Sequence, residues 1–424
     1  MTDVGTIIDG KVNLVQGARG SGHNIQASIS TSSRAYLIPG SISRLSPHST
    51  PLTSSIPFTY ISSRSSSYRV LPKRTFFTTR LQTARIPSME TIKNTLAENF
   101  GGPVTKLGTT QFSLDDCPDL TSKVAIITGG TQGIGYAIAH TLLKHNIARV
   151  YLISTTSEVA DKAKSAFHDE FGSDVSSRVN WIQCDLSDWP AVKRTADYVA
   201  NDTDRLDILA CNAGRGIMTP QLTNYGVDKH MAINHMGHVV LTTQLLPLMK
   251  KTAENTGETV RISNQSSNMH NAAPSDTKFA SLDEINSDAG PNGQYGRSKL
   301  AGILWARYFE REVTNKGHPK VLMNATHPGF VSTKQSTKDI HEPYPISGFG
   351  VSTLVDPIKK NQFEGAVPSV YALTMTDKSG QWICAPATVE TGNKMSQSDQ
   401  LADDLMNLTR KVINERAPGI EVAV

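Results

Sequence analysis

Thr128-Gly129-Gly130-Thr131-Gln132-Gly133-Ile134-Gly135 is the stretch from which the rest of the chain is read. Before it runs Val124-Ala125-Ile126-Ile127, an apolar run that predicts a buried strand. After it Tyr136, Ala137, Ile138, Leu142 and Leu143 recur with the spacing of a helix that has one apolar face. A strand, a glycine-rich turn and a helix start together make an anion site. The first N–H groups of a helix have no intrahelical acceptor, and the positive end of its dipole points the same way. Glycines keep the turn tight and let a pyrophosphate approach the backbone. The spacing here is Gly-x-x-x-Gly-x-Gly, not the Gly-x-Gly-x-x-Gly of the usual dinucleotide fingerprint. A plain βα turn without a ligand therefore stays open beside the nucleotide reading.

Outward from this loop, apolar strands alternate with helical stretches. Candidate strands are residues 150–153, 180–183, 206–210, 260–263, 321–324 and 381–384, and helical stretches such as 190–199 and 299–313 fill the gaps. Continuous apolar strands separated by helices predict an α/β fold, a doubly wound parallel sheet of about seven strands with helices on both faces. Residues 116–424 are read as one such domain ending in a C-terminal helix, with a short helix and linker over 89–115. Ligands on these sheets bind beyond the C-terminal strand ends.

The chain has 424 residues and a net charge of +4, but the charge is uneven. Residues 1–88 hold ten Lys or Arg against Asp3 and Asp9, whereas the remainder holds 32 bases against 36 acids. The body thus carries no basic footprint, and no nucleic-acid partner is expected. No apolar run approaches the roughly 18 residues of a membrane span, so no transmembrane segment is expected. Cys117, Cys184, Cys211 and Cys384 are far apart and match neither a disulfide framework nor a zinc spacing.

Of residues 1–88, 27 are Ser or Thr, with no hydrophobic periodicity, so this leader is expected to be disordered. Its Arg and Ser enrichment is like that of a mitochondrial transit peptide, whereas Asp3, Asp9 and the start-like Met89 are not. A cytoplasmic location is the expectation, and mitochondrial import through a genuine leader is the alternative.

At the strand ends, Ser154-Thr155-Thr156-Ser157 stands where dinucleotide enzymes place a ribose-binding acid or a 2′-phosphate-binding base. Without the acid there is no repulsion against a phosphate, and hydroxyls donate to one, which favours NADP, with NAD as the alternative. Asp185-Leu186 follows the third strand, where a carboxylate would accept from an adenine amino group or simply cap a helix. Asn212-Ala213-Gly214 ends the fourth strand with small residues that let the backbone approach a flat ring.

Tyr295 and Lys299 lie four apart on a helical run and so share a face. A phenol with a pKa of about 10 is a poor acid–base near neutral pH, and bringing it to about 7 takes roughly 4 kcal/mol. A neighbouring ammonium and a cationic nicotinamide supply stabilisation of that size.

Thr128-Gly129-x-x-x-Gly133-Ile134-Gly135, Asp185-Leu186, Asn212-Ala213-Gly214, Asn234-His235-x-Gly237-His238, Ser266-Ser267, Tyr295-x-x-x-Lys299 and His327-Pro328-Gly329 occur in one order. Together they resemble the short-chain dehydrogenase/reductase family over residues 116 to about 415. The Asn-His-x-Gly-His and Tyr-Gly-Arg-Ser-Lys forms, with residues 279–294, are most similar to fungal members of its retinol-dehydrogenase-like branch. The resemblance implies that Tyr295 exchanges a proton with the substrate oxygen. Lys299 would lower the tyrosine's pKa and hold the nicotinamide ribose. Ser267, with Ser266 as the fallback, would hydrogen-bond the carbonyl, and Asn234 would keep a water that relays protons. It further implies a cofactor site of Thr128, Gly129, Gly133, Ile134, Gly135, Thr155, Asp185, Leu186, Asn212, Ala213, Gly214, Pro328, Gly329, Val331 and Thr333, with Tyr295 and Lys299 facing the ribose.

Two features depart from the family pattern. Cys211 stands where asparagine is common, and Ser267 and Tyr295 are 28 residues apart, more than in short members. The intervening 271–293 is polar and marked by Pro and Gly, so it is expected to loop out. His235, His238, His270 and His327 fit no zinc spacing, and no metal is expected. Residues 334–357 mix apolar and polar side chains and are read as a lid over an apolar or aromatic carbonyl substrate. Leu401, Leu405, Leu408 and Val412 form a helical stripe that suits core or subunit packing.

The expected activity is an NADP-dependent oxidoreductase moving a hydride between nicotinamide and a carbonyl or secondary alcohol of a small metabolite. A fungal ketoreductase of this kind would serve secondary-metabolite biosynthesis or carbonyl detoxification, as a monomer or homodimer. A non-catalytic NADP-binding sensor of the same fold is the alternative. An epimerase or dehydratase of the extended branch is disfavoured by the glycine spacing.

Overall fold

The computed structural model describes residues 6–8, 11–13, 112–331 and 361–423. The chain divides into two units, Met1–Leu81 and Gln82–Val424. In the first, Thr6–Ile8 and Lys11–Asn13 pair antiparallel, with Ile7 opposite Val12, where the sequence leads one to expect no regular structure. The rest of the leader, the expected short helix and linker as far as residue 111, the expected lid over 334–357 and Thr333 all lie outside the described residues.

In the second unit the strands are β1 (Val124–Thr128), β2 (Arg149–Ser154), β3 (Val179–Gln183), β4 (Ile208–Cys211), β5 (Val260–Gln265), β6 (Val321–His327), β7 (Trp382–Cys384) and β8 (Thr388–Glu390). They form one sheet in the order β8-β7-β6-β5-β4-β1-β2-β3, parallel throughout except for β8, which runs antiparallel to β7. The sheet is the expected doubly wound one with an eighth strand at its edge. Thr388-Val389-Glu390 is too short, and too polar at its ends, to signal a strand by periodicity.

The helices are α1 (Gly133–Lys144), α2 (Ser157–Ser176), α3 (Trp189–Asp202), α4 (His238–Thr256), α5 (Leu282–Asn286), α6 (Gly290–Phe309), α7 (Gln362–Thr374) and α8 (Asp399–Arg416). Strand side chains alternate between faces, so each strand feeds two cores. Ala125 and Ile127 of β1 pack with Ile138 and Leu142 of α1, Phe167 of α2 and Val370 of α7. Val124 and Ile126 point the other way, to a core built with Trp189 of α3, Val239 of α4, Leu300 and Leu304 of α6 and Leu405 of α8. The Leu405, Leu408 and Val412 stripe is therefore core.

The segment between Ser267 and Tyr295 does not loop out. Ser267 caps a 3-10 helix, Asn268–Ala272, and the chain then returns to bury Phe279 and Ile285 in the core. Glu284 fixes the return by accepting the backbone N–H groups of Lys278, Phe279 and Ala280 at 2.7, 3.1 and 2.8 Å. Two apolar side chains in a polar stretch give no periodicity, yet once buried they anchor it.

Candidate active site

The strand order reverses between β1 and β4, and it is at this switch point that ligands bind in such sheets. Gly129 leaves β1 at φ +64 and Gly133 opens α1 at φ +58, left-handed conformations that suit glycine. A Cβ on Gly135 would overlap the Gly129 carbonyl oxygen and come within 2.6 Å of Asn212 Nδ2. Gln132 occupies the N-cap position of α1 without a side-chain cap, so the first N–H groups of the helix are not claimed by a capping side chain. These are the features of a cradle for a pyrophosphate, and the residues present fit one.

Thr128 holds this loop from behind. Its hydroxyl accepts the backbone N–H groups of Asn212 and Ala213, each at 2.9 Å, and lies 2.9 Å from His238 Nε2. The Asn234 carbonyl, 3.3 Å from His238 Nδ1, can only accept, which makes Nδ1 the protonated nitrogen and leaves Nε2 to accept from the Thr128 hydroxyl, whose hydrogen is shared with the Ala210 carbonyl at 3.3 Å. Burial pushes the His238 imidazole down to about 4, and neighbouring His235 down to about 3, so both are neutral. Asn212 Nδ2 donates to the Thr128 carbonyl at 3.0 Å. Cys211, buried beside Thr242, keeps the tight turn.

Of the expected adenosine-side residues, Thr155 is exposed, 3.3 Å from the Thr156 hydroxyl. Ser154 is occupied as acceptor for Trp181 Nε1 at 2.8 Å. Asp185 is exposed and caps its own turn, accepting from the Ser187 amide and hydroxyl, while the cap of α3 is Asp188. Leu186 is buried, and its carbonyl lies so close to Gly237 that any Cβ there would collide. Ile134 and Val331 converge on Gly365 of α7, where an added Cβ would meet Ile134 at 3.4 Å and Val331 more closely. Pro328 and Gly329, the latter at φ +77, carry the chain off β6 toward Val331.

Asn234 lies in a π-helical turn, Ala232–Gly237, that leads into α4. Its Oδ1 accepts from the Arg215 amide at 2.7 Å, and its Nδ2 donates to the Arg215 carbonyl at 3.0 Å and to Ser298 Oγ at 2.9 Å. Both amide hydrogens are thus used, so any water held by this side chain would have to bind at Oδ1. Lys299, 5 % exposed, donates from Nζ to the Gln265 carbonyl at 2.8 Å, and its Nζ lies 5.5 Å from the centre of the Tyr295 ring. Burial lowers the ammonium to about 8. A Cβ on Gly214 would meet Asn234 Oδ1 at 3.1 Å and Lys299 Nζ at 3.6 Å, so the turn after β4 closes directly over this pair. The two serines divide cleanly. Ser266 is buried and donates to the Lys299 carbonyl at 2.6 Å, whereas the hydroxyl of half-buried Ser267 accepts the Met269 amide at 3.1 Å and, among the described residues, donates to none.

Several residues around this centre have no signal in the sequence. Gln265 anchors Lys299 through a backbone carbonyl, which no side-chain motif encodes, and its Oε1 accepts from Thr326 and Ser369. Arg297, inside the Tyr-Gly-Arg-Ser-Lys run, donates to the Ile285 carbonyl at 3.0 Å and so ties 271–293 to α6. His235 bonds Thr409 of α8 at 2.9 Å. Among the described residues no three His, Cys, Asp or Glu side chains gather as a metal site would require.

Fold and site together define a dinucleotide-binding α/β protein with a lysine and a tyrosine at the strand ends. The family model of the short chain dehydrogenases matches residues 123–280. The Neurospora crassa protein named as oxidoreductase bli-4, mitochondrial, is 65% identical over 77% of this chain and 80% of its own. A short-chain dehydrogenase/reductase of Armillaria gallica is 30% identical over 70% of this chain and 94% of its own. A solved structure of a protein from Mycobacterium paratuberculosis covers 74% of this chain and 100% of its own with a TM-score of 0.56; at 22% identity the likeness concerns the fold alone. The chain belongs to the short-chain dehydrogenase/reductase family and is an NAD(P)-dependent dehydrogenase/reductase.

Proposed function

We propose that the protein is an NADP-dependent oxidoreductase that moves a hydride between nicotinamide and a carbonyl or secondary alcohol of a small, apolar or aromatic metabolite. The observation that carries this reading is the buried Lys299 ammonium beside the Tyr295 ring, with Ser266, the neighbour of Ser267, hydrogen-bonded to the Lys299 carbonyl. In the direction of reduction the cofactor supplies the hydride. Tyr295 gives its proton to the substrate oxygen, Ser267 donates a hydrogen bond to that oxygen, and the Lys299 charge favours the phenolate that results. The cofactor cradle is Thr128, Gly129, Gly133, Ile134 and Gly135, closed by Asn212, Ala213 and Gly214, with Thr155 toward the ribose, Asp185 and Leu186 at the adenine end, and Pro328, Gly329 and Val331 at the carboxamide.

NADP is favoured over NAD by the exposed Thr155 and Thr156 hydroxyls and by the absence of a carboxylate at the end of β2. A sensor without chemistry is disfavoured, because binding alone has no use for Asn234, Ser267, Tyr295 and Lys299 together. The relation to bli-4 supports the mitochondrial alternative for the leader. Import of the full chain into isolated mitochondria with loss of the leader would bear this out, and its staying outside would return the protein to the cytoplasm.

Fluorescence titration of the full chain with NADPH and NADH tests the cofactor. A preference for NADPH of about tenfold or more is expected, and the reverse preference overturns it. Turnover of a carbonyl panel, followed at the NADPH absorbance, tests the chemistry. Tyr295→Phe should lower kcat by about 10²–10⁴ with NADPH affinity kept, and turnover that survives it refutes the tyrosine mechanism.

A further inference from the structure

A cavity of about 730 Å³ lies between the segment that follows the 3-10 helix and α8, and it shares no residue with the cofactor cradle or with Tyr295 and Lys299. Its size is that of a small-molecule site. The floor is apolar: Phe279 and Leu408 are buried there, and Met395 and Leu401 are half-buried. The mouth is cationic. Lys278, Lys394 and Lys411 line it, all exposed, and among the described residues no salt bridge or side-chain hydrogen bond engages their ammonium groups. The cations beyond the mouth behave differently, since Arg307 pairs with Asp399, Arg311 with Asp403, and Lys316 with Glu312. Asp404 is the single acid in the lining, and its Oδ1 already accepts from Gln400 at 3.0 Å. In the wall, Thr277 is 7 % exposed, and its hydroxyl has no hydrogen-bond partner among the described residues. An unpaired buried hydroxyl is a disfavoured state that a bound acceptor would relieve.

We propose that this cavity is a second ligand site, taking a single-headed amphipathic anion whose carboxylate or phosphate meets the three lysines and Thr277 while its apolar body lies on Phe279, Met395, Leu401 and Leu408. A neutral body of the same shape loses the charge attraction, and a cation meets like charge. The ligand would bridge α8 to the segment joining Ser267 to Tyr295. That segment is already tied at Asn271, which accepts from Asn393 Nδ2 at 2.9 Å, and at Ile285, held by Arg297. Occupancy therefore adds a tie at 277–279, between those two, and raises the melting temperature by mass action.

Isothermal calorimetry on the full chain with NADPH present tests this, using decanoate, decyl phosphate, decanol and decyltrimethylammonium. Decanoate and decyl phosphate are expected to bind with one-to-one stoichiometry, whichever is tighter naming the head group, and the other two to bind at least about tenfold more weakly. The triple variant Lys278→Glu, Lys394→Glu, Lys411→Glu should weaken the anions by about tenfold or more and leave NADPH affinity unchanged. Thr277→Val, nearly the same shape, should weaken them less, and Leu401→Trp should block them by filling the floor. Decanol binding as tightly as decanoate overturns the proposal, as does a triple variant that binds decanoate as the wild type does. A change of oligomeric state in the triple variant without ligand would instead make the groove a contact between copies, and would equally overturn it.

Discussion

Replacing Lys299 by Met should make the protein more stable and inactive, and the pH dependence of the gain identifies its cause. The ammonium is buried with one hydrogen bond among the described residues, to the Gln265 carbonyl, and burial lowers it from the ordinary 10.5 to about 8. That difference corresponds to about 3 kcal/mol held against the folded state while the group is charged in both states. Met has a similar volume and carries no charge, but it leaves the Gln265 carbonyl without its donor, at a cost of about 1–3 kcal/mol. A net gain of about 1 kcal/mol near pH 7 is the expectation. Below about 8 the lysine is protonated folded and unfolded, so its full cost is present. Between there and 10.5 the unfolded chain binds more protons than the folded one, so wild-type stability rises with pH. Its contribution is thus complete above 10.5 and is lost as pH falls through about 8. Urea unfolding of both proteins near pH 7 and near pH 9.5 should therefore show the stability difference move by about 2 kcal/mol, from an advantage of Lys299→Met of about 1 kcal/mol to a disadvantage of about the same size. Titrations elsewhere in the chain cancel in the comparison. A difference independent of pH would mean that the ammonium carries no burial cost, and would remove the strained cation from the site.

Gly135→Ala should weaken NADPH binding by more than about tenfold and cost about 1–3 kcal/mol of stability, because its Cβ would overlap the Gly129 carbonyl; unchanged titration curves would show that the loop yields. Phe279→Ala should cost about 3–5 kcal/mol in urea unfolding, since the ring is fully buried, and a loss below about 0.5 kcal/mol would return its segment to the surface. His235 and His238 are held neutral, with values pushed down to about 3 and about 4. Their contribution is complete above the unfolded value of about 6.5 and is lost as pH falls toward their folded values, with a slope approaching 2.7 kcal/mol per pH unit for two protons, roughly. Urea midpoints between neutral and mildly acid pH measure that slope. His235→Gln should flatten it, and an unchanged slope would mean that the ring is not protected.

Most of the parallel strands were legible as apolar runs, such as Val124-Ala125-Ile126-Ile127 and Val150-Tyr151-Leu152-Ile153, and their alternation with helices dictates the layering. Tyr295, Lys299 and the glycine loop were legible because helix spacing and turn geometry restrict which residues serve there. What stayed hidden is carried by backbone atoms or by single contacts. The Gln265 carbonyl leaves no trace in side-chain chemistry, Gly365 looks like any helical glycine, and the hydroxyl of Thr128 reads as part of a loop motif although it turns inward to join β1 to β4. The 271–293 segment misleads for a thermodynamic reason, because Phe279 and Ile285 contribute more to its placement than its many polar residues do.

The π-helical turn Ala232–Gly237 has a consequence for how this site responds to changes in chain length. A π turn carries one residue more than an α turn, and such turns sit frequently at functional sites. Deleting one residue of it between Asn234 and α4 would let the turn relax to α geometry and rotate everything before the deletion by about 100° relative to α4. Asn234 would then leave Arg215 and Ser298, while His238, on the far side, stayed with Thr128. Point substitutions adjust this site gradually, whereas a single deletion here swings one of its side chains out of reach in one step.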